Sequence, residues 1–415
     1  MSRLDGDLRE KQGFAGFWGS VKSFPRDLSF SATFTGLLLV AIACTGPIAI
    51  LLAAAKSGHF SDAQTASWIC LGFIGSGVYG IALSLWYRIP MIGAFSTPSV
   101  ALMIVGFETH SIREAVGAYL IAAVATLFVG ITGLLDRILK VIPRPVILAM
   151  LGGILFQFGL SIFTELPTAP LIVVAMILGY FIARRMKWRA PVITSLILAF
   201  PITALTHRFN SVHFHFGVVH PTWINPSFSV SALVTLAFPM FLLTLTSQYA
   251  TGMAVLKNDG FAQPVNASLV TGGFISLLSA GYLSSGINSA AIIAAIGTGE
   301  HAEPNKKRRY TVGVMCGFFY IIAGVLGSTM LNLFAILPAA LVATLGGLAL
   351  LPAIASSTWG SLEDAEYREA ALITFLITIS GIHPWNLGSS FWGLIAGVGV
   401  HYILTFNPHG KSAKK

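Results

Sequence analysis

The chain has 415 residues, of which 55% are apolar and only 10% charged, with a mean hydropathy of +0.79 and a formal charge of +9. A soluble protein of this length needs far more charge to cover its surface, so the composition places the chain in a lipid bilayer. Its basic residues sit in short clusters between hydrophobic runs, the pattern of membrane orientation and not of a nucleic-acid partner.

Residues 1–27 carry Arg3, Arg9, Lys11, Lys22 and Arg26 together with Asp5, Asp7, Glu10 and Asp27. No small-residue cleavage site follows the first apolar run, and the segment reads as a retained cytosolic tail. Apolar runs near the length of a bilayer crossing then recur, such as Leu37 to Ala55, Ala115 to Leu135 and Arg309 to Met330. About fourteen segments are expected, centred near residues 43, 76, 100, 123, 153, 175, 198, 242, 272, 291, 319, 344, 374 and 396. With the N-terminus in the cytoplasm, 22 of the 25 Lys and Arg fall inside and only Lys56, Arg113 and Arg208 outside, an asymmetry that orients the chain.

The two halves resemble one another. Leu28-Ser29-Phe30-Ser31 recurs as Pro226-Ser227-Phe228-Ser229, and Ile142-Pro143 with Leu151-Gly152-Gly153 recurs as Leu337-Pro338 with Leu345-Gly346-Gly347. A repeat of seven spans lies inverted relative to its copy, which is a transporter signature. The expected division is a tail at 1–27, a first repeat at 28–210, an external linker at 211–226, a second repeat at 227–406 and a cytosolic tail at 407–415.

The third segment is interrupted. Pro90 and Gly93 argue against a helix, whereas Thr97 before Pro98 predicts a hydroxyl N-cap and a helix from Pro98 to about Phe107. Such a helix rises roughly 15 Å, half the hydrocarbon thickness, so it starts near the bilayer centre. In the second half, Gly281 to Ala290 holds Tyr282, Gly286, Asn288 and Ser289, and Asn288 or Ser289 is expected to cap a matching half-helix that ends by Gly297. Two opposed half-helices would aim free N–H groups at one cavity and favour an anion. Serine- and glycine-rich kinks in two ordinary helices are the plainer alternative.

Span eight carries Thr244, Thr246, Ser247, Gln248 and Thr251 in an apolar stretch. Gln248 is costly against lipid and either donates to substrate or bonds a neighbouring helix. Thr45-Gly46-Pro47 is expected to bend span one towards the same centre. None of the 16 Asp and Glu falls in the middle of a span, so no residue stands out as a proton carrier.

Other chemistries have little support. Cys44, Cys70 and Cys316 have no metal-type spacing and read as packing residues. His213, His215 and His220 lack a nearby Cys or carboxylate, so no metal is expected. No phosphate-binding Gly-Lys-Ser/Thr loop and no convergent serine, histidine and carboxylate appear. The chain reads as a non-enzyme that needs no cofactor.

Trp86-Tyr87-Arg88-Ile89-Pro90 leading to Ser96-Thr97-Pro98, Ile131-Thr132-Gly133-Leu134, Ser247-Gln248, Gly317-Phe318-Phe319-Tyr320 and Ser390-Phe391-Trp392-Gly393-Leu394-Ile395-Ala396-Gly397 occur in an order that resembles the bacterial benzoate:proton symporter family, over residues 30 to 406. The resemblance implies an all-α polytopic fold of seven-plus-seven inverted repeats, shared with nucleobase:cation symporters and sulfate or bicarbonate transporters. It implies a core of spans one to four and eight to eleven, a gate of the remainder, and extended segments at Met91 to Ser96 and Tyr282 to Ile287 that meet at the substrate site. It further implies an inner-membrane elevator-type importer of benzoate or a related small aromatic carboxylate, with the proton as coupling ion; a homodimer is compatible with it. The nucleobase branch has glutamates where this chain has Ser247-Gln248 and Asn288-Ser289, which speaks against a nucleobase. Ser99 stands where glycine is expected and narrows the pocket or adds a donor. The expected site combines Thr97 and Asn288 at the helix starts, Ser96, Ser289 and Gln248 as neutral donors, and Phe95, Tyr249 and Tyr282 flanking the ring, with Thr45, Ser99, Ser247 and Gly286 nearby. A passive anion channel, or a transporter of another small organic anion, is the rival reading.

Overall fold

Serines and prolines decide where the helices begin. In the computed structural model the described residues are 14–135, 137, 143–188, 190–211, 216–290, 293–382 and 384–405. Residues 1–13 and 406–415 of the expected tails, with Lys140, Ile142, Arg189, His213 and His215, lie outside them. After α1 (Phe14–Asp27), the first half contains α2 (Phe30–Ala43), α3 (Gly46–Ser57), α4 (Asp62–Tyr87), β1 (Gly93–Phe95), α5 (Thr97–Gly106), α6 (Ile112–Thr132), α7 (Arg144–Thr164), α8 (Pro170–Arg185) and α9 (Pro191–Leu205). The second half contains α10 (Val230–Asn258), α11 (Val265–Ser279), β2 (Ile287–Ser289), α12 (Ala294–Gly297), α13 (Tyr310–Val325), α14 (Gly327–Ile336), α15 (Ala339–Leu362), α16 (Arg368–Ser380) and α17 (Ser389–Thr405).

Ser29 accepts a hydrogen bond from the Ala32 amide at the start of α2, and Ser229 does the same for Ala232 at the start of α10. The two caps are 200 residues apart, so the repeat aligns Ser29 with Ser229 and not with Ser227. Ser61 with Gln64, and Ser111 with Glu114, form reciprocal capping boxes before α4 and α6. Proline occupies the first turn of α3, α5, α7, α8 and α9, where its missing N–H has no helical partner to lose.

Except for residue 291, which is outside the described residues, every expected centre falls on a helix. Among the described residues, seven helices can cross a membrane by length and composition, or eight counting a bent pair, so the full count of fourteen is not reached on that measure. The expected run Arg309 to Met330 is broken at Leu326, where α13 and α14 meet at 72°. Phe30, Phe34, Leu171, Leu205 and Ile403 are exposed on the outside, as lipid-facing residues should be.

The helices pack as two groups. In the core, α4 lies against α13 so closely that a Cβ at Gly77 would sit 2.5 Å from the Gly317 carbonyl oxygen, and one at Gly317 equally close to that of Gly77. The core also contains α2, α3, α5, α6, α10 and α11. In the gate, α7 packs on α15 and α16, α16 on α17, and α8 on α9. Core meets gate where α3 crosses α15, with Gly46 against Ala349 and Ala49 against Gly346.

Residues 216–229 run across one end of the core. Val219, Ile224 and Ser227 donate backbone bonds to the Val325, Gly281 and Arg113 carbonyls, and the Thr222 amide donates to Ser67 Oγ. At the opposite end, α1 is tied down by Asp27, which pairs with Arg88 at 2.9 Å and Arg308 at 3.7 Å and accepts from the Tyr310 hydroxyl. Burial works to raise the Asp27 pKa, but the Tyr310 and Ser23 hydroxyls and Arg88 outweigh it and hold the carboxyl below its usual range. Asp27→Asn should therefore free α1, and trypsin should cut at Lys22 and Arg26 several-fold faster than in the parent. Because the folded pKa is depressed, the same protection is present above the unfolded carboxylate pKa and lost as pH falls through the folded value.

Candidate functional site

The site is built around a two-stranded ladder. β1 and β2 pair antiparallel with Gly93 opposite Ser289, Ala94 opposite Asn288 and Phe95 opposite Ile287. The ladder continues at both ends, the Ala290 amide donating to the Ile92 carbonyl and the Ser96 amide reaching the carbonyls of Ser285 and Gly286. Gly286 has φ +74°, a left-handed value that glycine adopts without strain, and this turns the chain so that both carbonyls face Ser96. Only glycine fits at 93, since a Cβ there would lie 2.1 Å from the Ser76 carbonyl oxygen.

Neighbouring helices hold the ladder through hydroxyls. Tyr249 Oη donates to the Ile287 carbonyl at 2.8 Å, Ser276 Oγ accepts from the Ile287 amide at 2.6 Å, and Trp68 Nε1 donates to Ser285 Oγ at 2.7 Å. The Tyr249 and Ser276 bonds satisfy backbone groups of Ile287 that would otherwise be stranded in a membrane interior, and Trp68 fixes the Ser285 side chain.

From β1 the chain enters α5, whose N-terminus carries the polar centre. Ser96, not Thr97, is the N-cap: its side chain accepts from the Ser99 amide, while Thr97 is the first helical residue and half-buried. Pro98 is tolerated one position into the turn, which moves the cap back by one from the sequence expectation. Ser96 Oγ, Ser99 Oγ and Thr244 Oγ1 form a buried triangle of 2.7, 3.1 and 3.2 Å. Ser99 thus adds a hydroxyl to the helix start. The far end of α5 is anchored by His110, whose Nε2 lies 2.8 Å from Thr235 Oγ1; burial pushes that imidazole's pKa down, with Glu114 working the other way.

The second half-helix differs from expectation. Asn288 and Ser289 lie in β2 and cap nothing, and the described helix beyond them, α12, has four residues and no side-chain cap. Asn288 Nδ2 donates to the Gly286 carbonyl, and its buried Oδ1 has no partner among the described residues. The Tyr282 end of the expected extended segment is a 3-10 turn instead, and the strand begins at Ile287. Among the described residues, the longer helix that starts at the ladder is α5, with ten residues against the four of α12.

Of the expected ring-flanking residues, Phe95 stacks on Phe73 at 5.8 Å within the core, Tyr249 is fully buried, and Tyr282 meets Trp223 edge-on at 5.2 Å. All three have structural partners in this conformation. Thr45 sits at the break between α2 and α3 and donates to the Ile42 carbonyl. Ser247 donates within its own helix to the Leu243 carbonyl, and half-buried Gln248 makes no hydrogen bond to a described residue.

Two features go beyond the expectations from the sequence. The first is that α10 contains two π-helical stretches, Leu233–Ala237 and Thr244–Tyr249, the second carrying every polar residue singled out from Thr244 to Gln248. A wider turn of this kind is common at functional sites because it re-aims side chains and loosens backbone bonding. The second is Gln157, an exposed amide in the middle of apolar α7 that lines a cavity of about 260 Å³ between core and gate. The reasoning applied to Gln248 would have found it, since an amide inside a span is costly against lipid. A smaller cavity of about 20 Å³ lies behind the ladder, between Ser99, Tyr119, Thr244, Ser276 and Ser285. It has room for a water and not for an aromatic ring.

Comparison with known proteins gives this geometry its context. The family described as Benzoate membrane transport protein matches residues 26–403. The chain belongs to that family. It is 39% identical over 384 residues to the Benzoate membrane transport protein of Acinetobacter baylyi, covering 92% of this chain and 98% of the relative. It is 35% identical over 369 residues to the Inner membrane protein YdcO of Escherichia coli, covering 89% and 94%. Among solved structures, the transmembrane domain of the cyanobacterial bicarbonate transporter BicA aligns with TM-score 0.58 at 15% identity, covering 90% of this chain and 99% of that one. Murine Slc26a9 in its inward-facing state aligns with TM-score 0.58 at 11% identity, covering 94% and 72%. These neighbours have the inverted-repeat, core-and-gate fold, and this chain shares it. Its membership of the benzoate membrane transport family makes it a multi-pass transporter and not an enzyme. Among the described residues no group of His, Cys, Asp or Glu is placed to hold a metal.

Proposed function

We propose that this chain carries benzoate or a closely related small aromatic carboxylate across the bacterial inner membrane, with proton entry, by movement of the core against the gate. The observation that carries the reading is the start of α5: a helix N-terminus beside three buried hydroxyls, Ser96, Ser99 and Thr244, brought to the middle of the fold by the ladder. A helix N-terminus attracts a carboxylate, and hydroxyl donors strengthen the attraction where water is absent. Gln248 is a further donor on the same stretch of α10. Asn288 and Ser289 set the ladder and so position the helix.

The contact between α3 and α15 supports a sliding movement. It is made of Gly46, Ala349, Ala49 and Gly346, whose small side chains leave few knobs to disengage. The N-terminal side, where α1 docks, is the cytoplasmic one in this reading, in keeping with the distribution of Lys and Arg.

Proteoliposomes holding the purified protein should take up labelled benzoate saturably, faster when the interior is alkaline, and should show counterflow when preloaded with unlabelled benzoate. Saturable uptake without a response to the pH gradient would remove the proton. Flux without saturation or counterflow would replace the carrier by an anion channel.

A further inference from the structure

The cavity of about 260 Å³ lies away from the ladder, between the outer turns of α3 and α5 on the core and of α7 and α15 on the gate. Its walls include Ala49, Ala53, Ala101, Phe158 and Ala343, and the exposed amide of Gln157 is the most polar group that reaches it. Ser161 also lines it but spends its hydroxyl on the Phe158 carbonyl at 2.7 Å. An apolar cavity of about 150 Å³ is enough to hold a benzene ring. This one has space for a ring and a carboxyl group besides.

The chemistry of the walls chooses the occupant. Among the described residues the lining has no lysine, arginine or histidine, so a small, fully hydrated anion gains nothing by entering. The nearby turn of α5 is its C-terminal one, with Ile104 in the wall, and its partial negative charge also disfavours a bare anion. A flat apolar ring is favoured on all sides, and a single amide orients the one polar group attached to it.

We propose that this crevice is a second, vestibular site for the aromatic acid, which holds the ring against the alanine wall and leaves the carboxylate hydrated at the exposed Gln157 amide before the acid reaches α5. The proposal rests on the substrate class given above and adds a site to it. It makes Gln157 a specificity-determining residue that selects for an aromatic ring, whereas the start of α5 selects for the charge. Because the walls belong to both core and gate, an occupant also separates the two.

Labelling of an introduced cysteine tests this. In a full-length variant lacking Cys44, Cys70 and Cys316 and reconstituted in nanodiscs, Ala343→Cys should react with a charged thiol reagent, and benzoate should slow the reaction while acetate at the same concentration does not. The protection should persist when Ser96→Ala and Ser99→Ala disable the α5 site, and Gln157→Leu should raise the half-protecting benzoate concentration about tenfold, as expected for the loss of one hydrogen bond to a charged group. Ala53→Cys, on the opposite wall, gives an independent reading should Ala343→Cys not fold. Protection that vanishes with the α5 site, or that acetate gives equally, overturns the vestibular site. Uptake by the parent protein is scored separately: absence of benzoate uptake with protection intact refutes the transport reading and leaves the crevice standing.

Discussion

Benzamide should compete with labelled benzoate at least about tenfold more weakly than unlabelled benzoate does, at a pH where benzoate is ionised. The two ligands have nearly the same shape and differ in charge. If the N-terminus of α5 and the hydroxyls of Ser96, Ser99 and Thr244 hold a carboxylate, replacing it by an amide removes at least one charged hydrogen bond. Such a bond is worth about 1.5–3 kcal/mol, which is roughly ten- to over a hundredfold in affinity. Ser96→Ala should shrink the discrimination, because Ser96 caps α5 and orients its first amides. Thr97→Val, one residue on, should do less. Equal competition by the two ligands would remove the anion site, and with it the physical case for a carboxylate.

Gly93→Val should abolish transport or reduce it by well over tenfold, although position 93 need not touch substrate. The new Cβ would meet the Ser76 carbonyl oxygen on α4 at 2.1 Å, and the backbone of a buried helix cannot retreat. β1 would have to move instead, taking with it the pairing to Ser289 and the cap of α5. Overpacking in a core costs about 1–3 kcal/mol even where side chains can adjust, and here they cannot. Gly399→Ala on α17, where nothing lies within 4 Å, is the matched control and should transport normally. Normal uptake by Gly93→Val would show that the ladder is dispensable.

The fold was readable because its strongest signals are local. Apolar runs, capping serines and prolines in first turns are written in short stretches of chain, and they placed the helices and the break between Arg88 and Thr97. The repeat was visible for the same reason, though the caps show its offset to be 200 at Ser29 and Ser229. The site was less legible because it depends on pairing across nearly 200 residues. That Asn288 and Ser289 form a strand follows from their partners Ala94 and Gly93, and no local rule distinguishes this from a helix cap. Tyr249 and Phe95 looked like ring-binding residues by type, whereas Ile287 and Phe73 occupy them. The π stretch from Thr244 to Tyr249 has no composition of its own; packing against β2 and neighbouring helices selects it.

The ladder also constrains how the protein is made. β1 lies in the first half of the chain and its partner β2 emerges from the ribosome almost 200 residues later. Until then the amides and carbonyls from Gly93 to Phe95 have no strand to pair with, and hydrocarbon offers no substitute. The stretch before α5 cannot settle as a finished crossing during synthesis of the first half. The expected order is that it stays in a watery setting and is drawn in when its partner arrives. Assembly of the ladder thus waits for the second half of the chain, and a chain truncated before residue 287 should be recognised by quality control as incomplete even though the long helices of its first half have already inserted.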